Sequence, residues 1–183
     1  GYVYRDLKPQ NVLLDIDGLV RISDMGLTAN ISGGPIKQCS GTRGYWSPET
    51  IKKEAYTVQP DWWSLGVTMF VLESDKLPFK GKTDEEKDEA TKSGEIDFKH
   101  EEPQDLQDII SALCTIDQTK RLGCTKGVDD LKAHPYFKGF EWSKLEAGAM
   151  TPPIKPNPND INAPSKKDIE EFKPPKDVSW DAD

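Results

Sequence analysis

Four polar side chains near the start of the sequence have types and a spacing that suit phosphoryl transfer. Asp6, Lys8 and Asn11 lie within six residues, and a second carboxylate, Asp24, follows thirteen residues after Asn11. Phosphoryl transfer needs an acceptor for the hydroxyl proton, a cation at the moving phosphoryl group and oxygen ligands for Mg²⁺. On this interpretation Asp6 is the base, Lys8 is the cation, and Asn11 and Asp24 are the metal ligands.

The elements around these residues are predicted to bring them together. The runs Val12–Leu14 and Leu19–Ile22 flank an Asp-Gly pair, which is typical of a hairpin turn. Because a hairpin joins its two ends, we expect Asn11 and Asp24 to lie close to each other. Residues 27–46 are rich in glycine and predict a long loop, and such loops are usually functional or disordered.

Helical patterns follow this loop. Pro48 stands at a position typical of a helix start and predicts a short helix over 48–53. A strongly apolar run predicts a buried helix over 60–72. Further helices are predicted from charge and apolar spacing over residues 83–93, 103–113 and 127–133. From His134 onward, recurring prolines predict an extended segment without a core of its own.

The composition argues against several classes of protein. The 183 residues carry 24 basic and 32 acidic side chains, and the net charge of −8 opposes the counterion release that drives nucleic-acid binding. No apolar run is long enough to span a membrane, and the first residues lack the apolar region of a signal peptide. The three cysteines lie far apart without metal-ligand spacing, so a reduced, intracellular setting is expected.

Each motif taken alone has a simpler explanation. An Asp-x-Lys-x-x-Asn run is more often a solvated turn, Asp24 would be a turn residue before a glycine, and Arg121 would be a surface cation. His100 and His134 have no serine or cysteine nearby in sequence, so a hydrolase triad has no support. The interpretation as a phosphoryl-transfer site therefore depends on several motifs that occur together.

Five motifs resemble those of protein kinases, in the same order and at similar distances. The run Tyr4–Asn11 resembles the catalytic loop, and Asp24-Met25-Gly26 resembles the DFG motif with Met in place of Phe. Ser47-Pro48-Glu49 resembles the APE motif with Ser in place of Ala. The run Asp61-Trp62-Trp63-Ser64-Leu65-Gly66 resembles the start of the central buried helix of kinases. The run Lys120-Arg121-Leu122-Gly123 resembles their late arginine element.

The resemblance implies an α+β, protein kinase-like fold. We expect a mainly α-helical C-terminal lobe with a small β-hairpin over residues 1–137 and an extended C-terminal tail over residues 138–183, with the N-lobe absent. ATP and Mg²⁺ are the implied cofactors. By the same resemblance Thr42 joins the catalytic residues, and the nucleotide would be contacted by Gln10, Leu13, Ser23 and Asp24. Structural support is expected from Arg5, which steadies the loops, from Asp61, which orients the catalytic loop, and from a buried ion pair between Glu49 and Arg121.

Other features indicate a branch of the kinases. Tyr4, in place of the usual His, and the run Pro152–Pro156 resemble the AGC group of serine/threonine kinases and its tail. Within that group the chain is most similar to G-protein-coupled receptor kinases, in Val20–Leu27, Gly41–Tyr45, Lys120–Cys124, Leu145–Gly148 and Asp168–Phe172. The implied function is transfer of the ATP γ-phosphate to protein serine and threonine hydroxyls, with receptor tails as candidate substrates.

Two alternatives remain open at this point: an AGC kinase of another subfamily, and a non-catalytic pseudokinase or interaction module. The intact Asp6, Lys8, Asn11 and Asp24 favour catalysis. The resemblance implies a cytoplasmic protein, with the inner face of the plasma membrane as a further option because receptors lie there.

The loop between Asp24 and Glu49 differs from that of many AGC kinases. Gln38 stands where many have a phosphorylatable threonine, and glutamine cannot gain a phosphate charge to pair with Arg5. Arg43 adds a positive charge to the same loop. Kinases that prefer basic substrates have carboxylates at three places that are here Gln10, Gly44 and Val71. Acidic or phosphorylated substrates are therefore the favoured expectation.

The 183 residues include no glycine-rich loop, no nucleotide-anchoring N-lobe lysine and no hinge. The chain is therefore expected to form most of the large lobe of a kinase and part of its tail. We expect an exposed apolar surface along residues 62–72, because the helices that normally cover this stretch are not in the sequence. The 183 residues alone are expected to be inactive.

Overall fold

The computed structural model describes residues 1–98 and 102–157. Within them, small antiparallel sheets precede a series of helices. The strands are β1 Tyr2–Val3, β2 Val12–Leu14, β3 Val20–Ile22 and β4 Ala29–Asn30. The α-helices are α1 Pro48–Ile51, α2 Gln59–Ser74, α3 Asp84–Ser93, α4 Gln104–Leu113, α5 Val128–Lys132 and α6 Trp142–Glu146. Short 3-10 turns cover Pro9–Asn11, Met25–Leu27 and Pro135–Phe137.

The predicted hairpin is confirmed. Strands β2 and β3 pair antiparallel, with Val12 opposite Ile22 and Leu14 opposite Val20. The carboxylate of Asp15 accepts the backbone N–H groups of Asp17 at 3.0 Å and of Leu19 at 2.8 Å, which fixes the turn between the strands. This short hairpin places the residues before β2 beside those after β3.

The predicted long loop has structure of its own, which the sequence pattern did not indicate. Its strand β4 pairs antiparallel with β1 at the start of the chain. Farther along, Ile36 forms an isolated antiparallel bridge with Tyr56. Both pairings involve only one or two residues on each side and join distant parts of the sequence. A local alternation of apolar residues therefore does not predict them.

The core lies between α2 and α4, and both predicted helices are confirmed. Along α4, apolar residues recur at the i, i+3, i+4 and i+7 spacing of one helical face, which packs against α2. Trp63 stacks on Phe79 with ring centroids 5.3 Å apart. The fully or almost fully buried side chains include Trp63, Val67, Phe79, Ile109, Ile110 and Leu113.

The predicted charged helix is confirmed as α3. The Thr83 hydroxyl caps its start by accepting the backbone N–H of Glu86 at 3.2 Å. Three acidic residues in the first turn, Asp84, Glu85 and Glu86, face the positive end of the helix dipole. Gly94 ends the helix with φ of 69°.

The expectation of an exposed apolar surface along residues 62–72 is only partly met. Trp63, Val67 and Phe70 are buried, whereas Leu72 is 69% exposed. Exposed apolar side chains are instead frequent around the hairpin, in Tyr2, Leu13, Leu14, Ile16, Leu19, Val20, Ile22, Met25 and Leu27. The inner face of α2 is buried because α4 and the segment around Phe79 cover it.

The prediction of a continuously extended segment after His134 is wrong for residues 135–146. Pro135 starts a 3-10 turn in which His134 Nδ1 accepts the backbone N–H of Tyr136 at 3.2 Å. Phe137, Phe140 and Trp142 then form an aromatic cluster with ring centroids 4.6 to 5.9 Å apart. These rings provide the apolar contacts that a proline-rich chain lacks.

Residues 147–157 contain neither helix nor strand, as predicted for the tail. This stretch crosses the hairpin turn at Gly18, where a side-chain Cβ would lie 2.4 Å from the carbonyl oxygen of Ile154. His100 and the motif Asp168–Phe172 lie outside the described residues. No helix in the described part of the chain is long and apolar enough to cross a membrane.

Candidate active site

The Asp6 carboxylate is the centre of a hydrogen-bonded cluster. Thr42 Oγ1 donates to Asp6 Oδ1 at 2.6 Å, and Lys8 Nζ donates to Asp6 Oδ2 at 2.9 Å. Lys8 Nζ also lies 2.6 Å from Thr42 Oγ1. Asn11 Nδ2 donates to Asp6 Oδ2 at 3.0 Å. The structure thus brings together all four residues that the sequence predicted as catalytic.

The surroundings of Asp6 keep its carboxylate ionised. Burial alone would raise the pKa of the Asp6 carboxyl, but hydrogen bonds from Thr42, Lys8 and Asn11 outweigh it and lower the pKa below its usual value. The carboxyl is therefore charged at neutral pH, as a proton acceptor must be. Lys8 remains partly open to solvent, with a side chain 20% exposed.

Helix α2 positions the loop that carries Asp6. Asp61, in the first turn of α2, accepts the backbone N–H groups of Tyr4 and Arg5, each at 2.8 Å. Arg5 has φ of 73°, a backbone conformation that side chains other than glycine rarely adopt. Burial raises the pKa of Asp61, and the two N–H bonds and the Arg5 charge oppose this rise. Asp61 therefore stabilises a strained loop from a rigid helix.

The hairpin brings the two predicted metal ligands near each other. The backbone N–H and the hydroxyl of Ser23 both donate to the Asn11 carbonyl, at 2.9 and 3.2 Å. Asp24 is the next residue, exposed and in the left-handed conformation with φ of 54°. Tyr4 OH donates to the Ser23 carbonyl and ties this point to the catalytic loop.

The donor atoms at this place fit Mg²⁺. Asn11 Nδ2 is committed to Asp6, which leaves the amide oxygen as the atom that could ligate a metal. Asp24 supplies an exposed carboxylate that accepts a long 3.4 Å hydrogen bond from Gly26 N–H. Mg²⁺ prefers such oxygen ligands and is usually bound by one or two protein groups together with phosphate oxygens and water.

The other residues predicted to contact nucleotide lie on or beside the hairpin. Leu13 is in β2 opposite Arg21 and is 49% exposed. Gln10 is exposed in the 3-10 turn before β2. Ser23 uses its hydroxyl within the hairpin, as described above. Leu13 thus offers an open apolar surface, whereas no bond of the Gln10 side chain links it to the Asp6 cluster.

A buried ion pair locks the end of the loop that follows Asp24. Arg121 Nη1 lies 2.5 Å from Glu49 Oε1, and Nη2 donates to Oε2 at 2.9 Å. The guanidinium also donates to the carbonyls of Gln59 and Thr115, at 2.9 and 3.0 Å, and lies 5.1 Å from the centre of the Trp63 ring. The two charged groups thus compensate each other where both side chains are almost completely buried.

Gln38 accepts a hydrogen bond from the arginine that precedes Asp6. Arg5 Nη1 donates to Gln38 Oε1 at 2.9 Å, and Arg5 Nε donates to the Leu27 carbonyl at 2.6 Å. Tyr56 OH donates to the Gln38 carbonyl at 2.5 Å, next to the bridge at Ile36. Sequence reasoning recognised that Gln38 lacks a charge but missed that its amide oxygen accepts from Arg5.

The loop reaches Asp6 because Gly41 passes close to the catalytic loop. Gly41 has φ of 103°, and a Cβ there would lie 2.2 Å from the Arg5 carbonyl oxygen. Only glycine fits such a contact. Thr42 therefore arrives beside Asp6 by a close backbone approach, which a larger residue at position 41 would prevent.

Arg43 is engaged by helix α3. Arg43 Nη1 donates to Asp84 Oδ2 at 2.7 Å, Nη2 lies 3.5 Å from Asp88 Oδ2, and the guanidinium is 5.0 Å from the Trp46 ring centre. No local sequence pattern indicates these contacts, because the partners are about forty residues away. Arg43 thus carries a compensated charge, which weakens the expectation that it attracts acidic substrates.

Comparison with known proteins identifies the family to which the chain belongs. The model of the protein kinase domain matches residues 1–137. The chain belongs to the protein kinase domain family.

Curated relatives show which protein kinases the chain is similar to. The chain is 39% identical over 185 residues to G protein-coupled receptor kinase 4 of Mus musculus and 38% identical over 186 residues to rhodopsin kinase grk7-b of Danio rerio. It is 36% identical over 200 residues to G protein-coupled receptor kinase 1 of Caenorhabditis elegans. In each case the alignment covers 98% of this chain but only 31 to 33% of the relative. The chain therefore spans about a third of the relatives it matches.

Proposed function

We propose that the protein containing these residues transfers the γ-phosphate of ATP to serine and threonine hydroxyls of other proteins. The observation that carries this proposal is the Asp6 carboxylate, buried and held by Thr42, Lys8 and Asn11 at 2.6 to 3.0 Å. A fixed carboxylate with an ammonium beside it suits a reaction that depends on positioning and charge stabilisation.

Each residue of the site has a defined role in this proposal, and Asn11 has two. Asp6 accepts the proton of the substrate hydroxyl, and Thr42 and Asn11 fix the direction of its two oxygens. Lys8 places positive charge beside the transferred group. Asn11 and Asp24 would hold Mg²⁺, which when bound neutralises charge on the phosphate oxygens.

Receptor proteins are the proposed substrates. The support is the similarity to relatives whose names state that they are receptor or rhodopsin kinases. The assignment to serine and threonine hydroxyls is supported by the resemblance of Tyr4 and of Pro152–Pro156 to the AGC group.

The proposed role of Asp24 as a Mg²⁺ ligand provides a test of this function. In the full-length gene product, Asp24→Asn should abolish Mg²⁺-dependent transfer, because a carboxylate ligand is replaced by a neutral amide. Transfer of labelled γ-phosphate to a receptor-tail peptide is measured at several Mg²⁺ concentrations. Asp17→Asn is the matched control, since Asp17 is an exposed residue of the same hairpin turn. Normal turnover of Asp24→Asn would refute the metal role, and absence of transfer by the unmodified protein would favour a non-catalytic interaction module.

Residues 1–183 expressed alone should transfer no measurable phosphate. The Asp6 cluster can steer a hydroxyl and hold a metal, but the 183 residues include no glycine-rich loop to cradle the phosphates. Orientation of reactants can contribute about 7–11 kcal/mol to lowering a barrier, so poor positioning of the nucleotide removes many decades of rate. The assay compares the purified chain with its Asp6→Ala variant, and transfer above that variant would contradict the prediction.

A further inference from the structure

The contacts of Arg43 bear on which substrates the proposed kinase accepts, and this inference rests on the proposed function. Asp84 and Asp88 hold the Arg43 guanidinium at 2.7 and 3.5 Å, and we call these three residues the Arg43 clasp. Trp46 covers one face of the guanidinium. The group therefore has carboxylate and aromatic partners from its own chain.

Arg43 directly follows Thr42, which contacts Asp6 and so marks the place where the acceptor hydroxyl must lie. Thr42 donates to Asp6 at 2.6 Å, so a hydroxyl that gives its proton to Asp6 lies next to Thr42. Arg43 is the following residue, and its Cα is about 3.8 Å from that of Thr42. An extended peptide advances about 3.3–3.6 Å per residue, so substrate residues within two positions of the acceptor come within reach of the Arg43 side chain.

The charges around Arg43 offset its own. The hydrogen bond to Asp84 raises the pKa of Arg43, and the charges of Asp88 and Glu85 add to this effect. Lys87 Nζ lies 3.4 Å from Asp84 Oδ1 and compensates part of this negative charge. An acidic substrate residue therefore meets a guanidinium whose charge two carboxylates of α3 already offset, so it gains less from Arg43 than it would from an unpaired arginine.

We propose that Asp84 and Asp88 are specificity-determining residues: by occupying Arg43, they suppress a preference for acidic residues beside the phosphorylated serine or threonine. Removing both carboxylates leaves the guanidinium, still packed over Trp46, free to bind an acidic side chain. The same surface then becomes selective for acidic substrates.

The test compares peptides that differ in one charge. The full-length gene product, unmodified and as Asp84→Asn/Asp88→Asn, phosphorylates serine peptides that carry either Asp or Asn at the single position after the acceptor. The measurement is the ratio of kcat/KM for the Asp peptide to that for the Asn peptide. We expect a ratio within about twofold of one for the unmodified protein and about three to five times higher for the double variant, as the usual strength of an exposed ion pair allows.

Two controls distinguish the clasp from a general change of charge. Glu89→Gln removes a carboxylate from the same helix, but Glu89 pairs with Lys92 at 2.7 Å and not with Arg43, so the ratio should not change. Adding Arg43→Gln to the double variant should return the ratio to that of the unmodified protein. If the double variant does not fold, the single variants Asp84→Asn and Asp88→Asn serve in its place, each with a smaller rise in the same ratio.

Several outcomes would overturn the inference while leaving the proposed function intact. They are an unchanged ratio in variants that still transfer phosphate, an equal rise in Glu89→Gln, and a strong preference of the unmodified protein for the Asp peptide. Absence of any transfer by the unmodified protein would refute the proposed function and, with it, the inference.

Discussion

Two carboxylate–cation pairs in this chain use the same chemistry in different surroundings. Lys8 pairs with Asp6 at 2.9 Å and keeps 20% of its side chain exposed, whereas Arg121 pairs with Glu49 in a place where both side chains are at most 2% exposed. Lys8 has one further side-chain bond, to Thr42, whereas Arg121 also donates to several backbone carbonyls. The cation of the first pair is partly open to solvent, whereas the second pair is almost completely buried.

The exposure of the cation determines whether an ion pair can take part in a reaction or can only stabilise the fold. A cation that reaches solvent can turn toward a phosphoryl group, and its point charge suits that task. A guanidinium whose donors are all bonded to protein can only hold segments together, here the end of the loop at Glu49 and the start of α2 at Gln59. Disrupting the two pairs should therefore affect different measurements.

Asp6→Ala should give the largest effect, and it should appear in catalysis. In the full-length gene product kcat is expected to fall by about 10²–10⁴-fold, the usual contribution of a positioned acid–base group. ATP binding should change little, because the base acts in the transition state. The measurements are steady-state kinetics and nucleotide binding by calorimetry. A loss of ATP affinity as large as the loss of kcat would instead make Asp6 a structural residue.

Glu49→Gln should give the second effect, and it should appear in stability. The substitution leaves a buried guanidinium with a neutral partner, and breaking such a pair typically costs about 3–5 kcal/mol in the free energy of unfolding. Denaturant unfolding measures this loss. The double variant Glu49→Gln/Arg121→Met should recover part of it because no charge then remains buried. A single variant as stable as the unmodified protein would show that water reaches Arg121.

The sequence predicted those elements whose signals are local. The spacing of Leu106, Ile109, Ile110 and Leu113 is sufficient for α4, and an Asp-Gly pair between apolar runs is sufficient for the hairpin. The structure brings Asp6, Lys8, Asn11 and Thr42 together as the resemblance to kinases implied. The same resemblance implied the bonds from Tyr4 and Arg5 to Asp61. The bond from Arg5 to Gln38 and the close approach of Gly41 to Arg5 were not predicted, because no local pattern marks them.

The aromatic helix α6 was missed for a different reason. Frequent prolines after His134 predicted an extended chain, but Pro135 can start a helical turn because its missing N–H is not needed there. Residues 136–151 contain no proline that would prevent a helix, and the packing of Phe137, Phe140 and Trp142 stabilises the structure there. Tertiary contacts of this kind override local propensity and leave no periodic signal.

A third ion pair, built at an exposed place, should show the smallest effect. Gln38 is exposed and accepts from Arg5 Nη1 at 2.9 Å, so Gln38→Glu would place a carboxylate opposite a guanidinium without the dry surroundings of Glu49. Exposed pairs contribute at most about 1 kcal/mol. We therefore expect Gln38→Glu to raise the free energy of unfolding by no more than this amount. The gain should shrink at 1 M salt, because the Debye length is then only about 3 Å and the two charges are screened from each other.

Unfolding at low and high salt measures this gain, and Gln38→Ala is the matched control because it removes the hydrogen bond without adding a charge. A gain that persists at high salt would mean that Arg5 is shielded from solvent in the way that Arg121 is. No gain at any salt concentration would mean that the amide of Gln38 already satisfies Arg5 as well as a carboxylate does. In that case the contact between Arg5 and residue 38 would hold the loop through hydrogen bonding alone, whereas charge contributes at Lys8, Arg43 and Arg121.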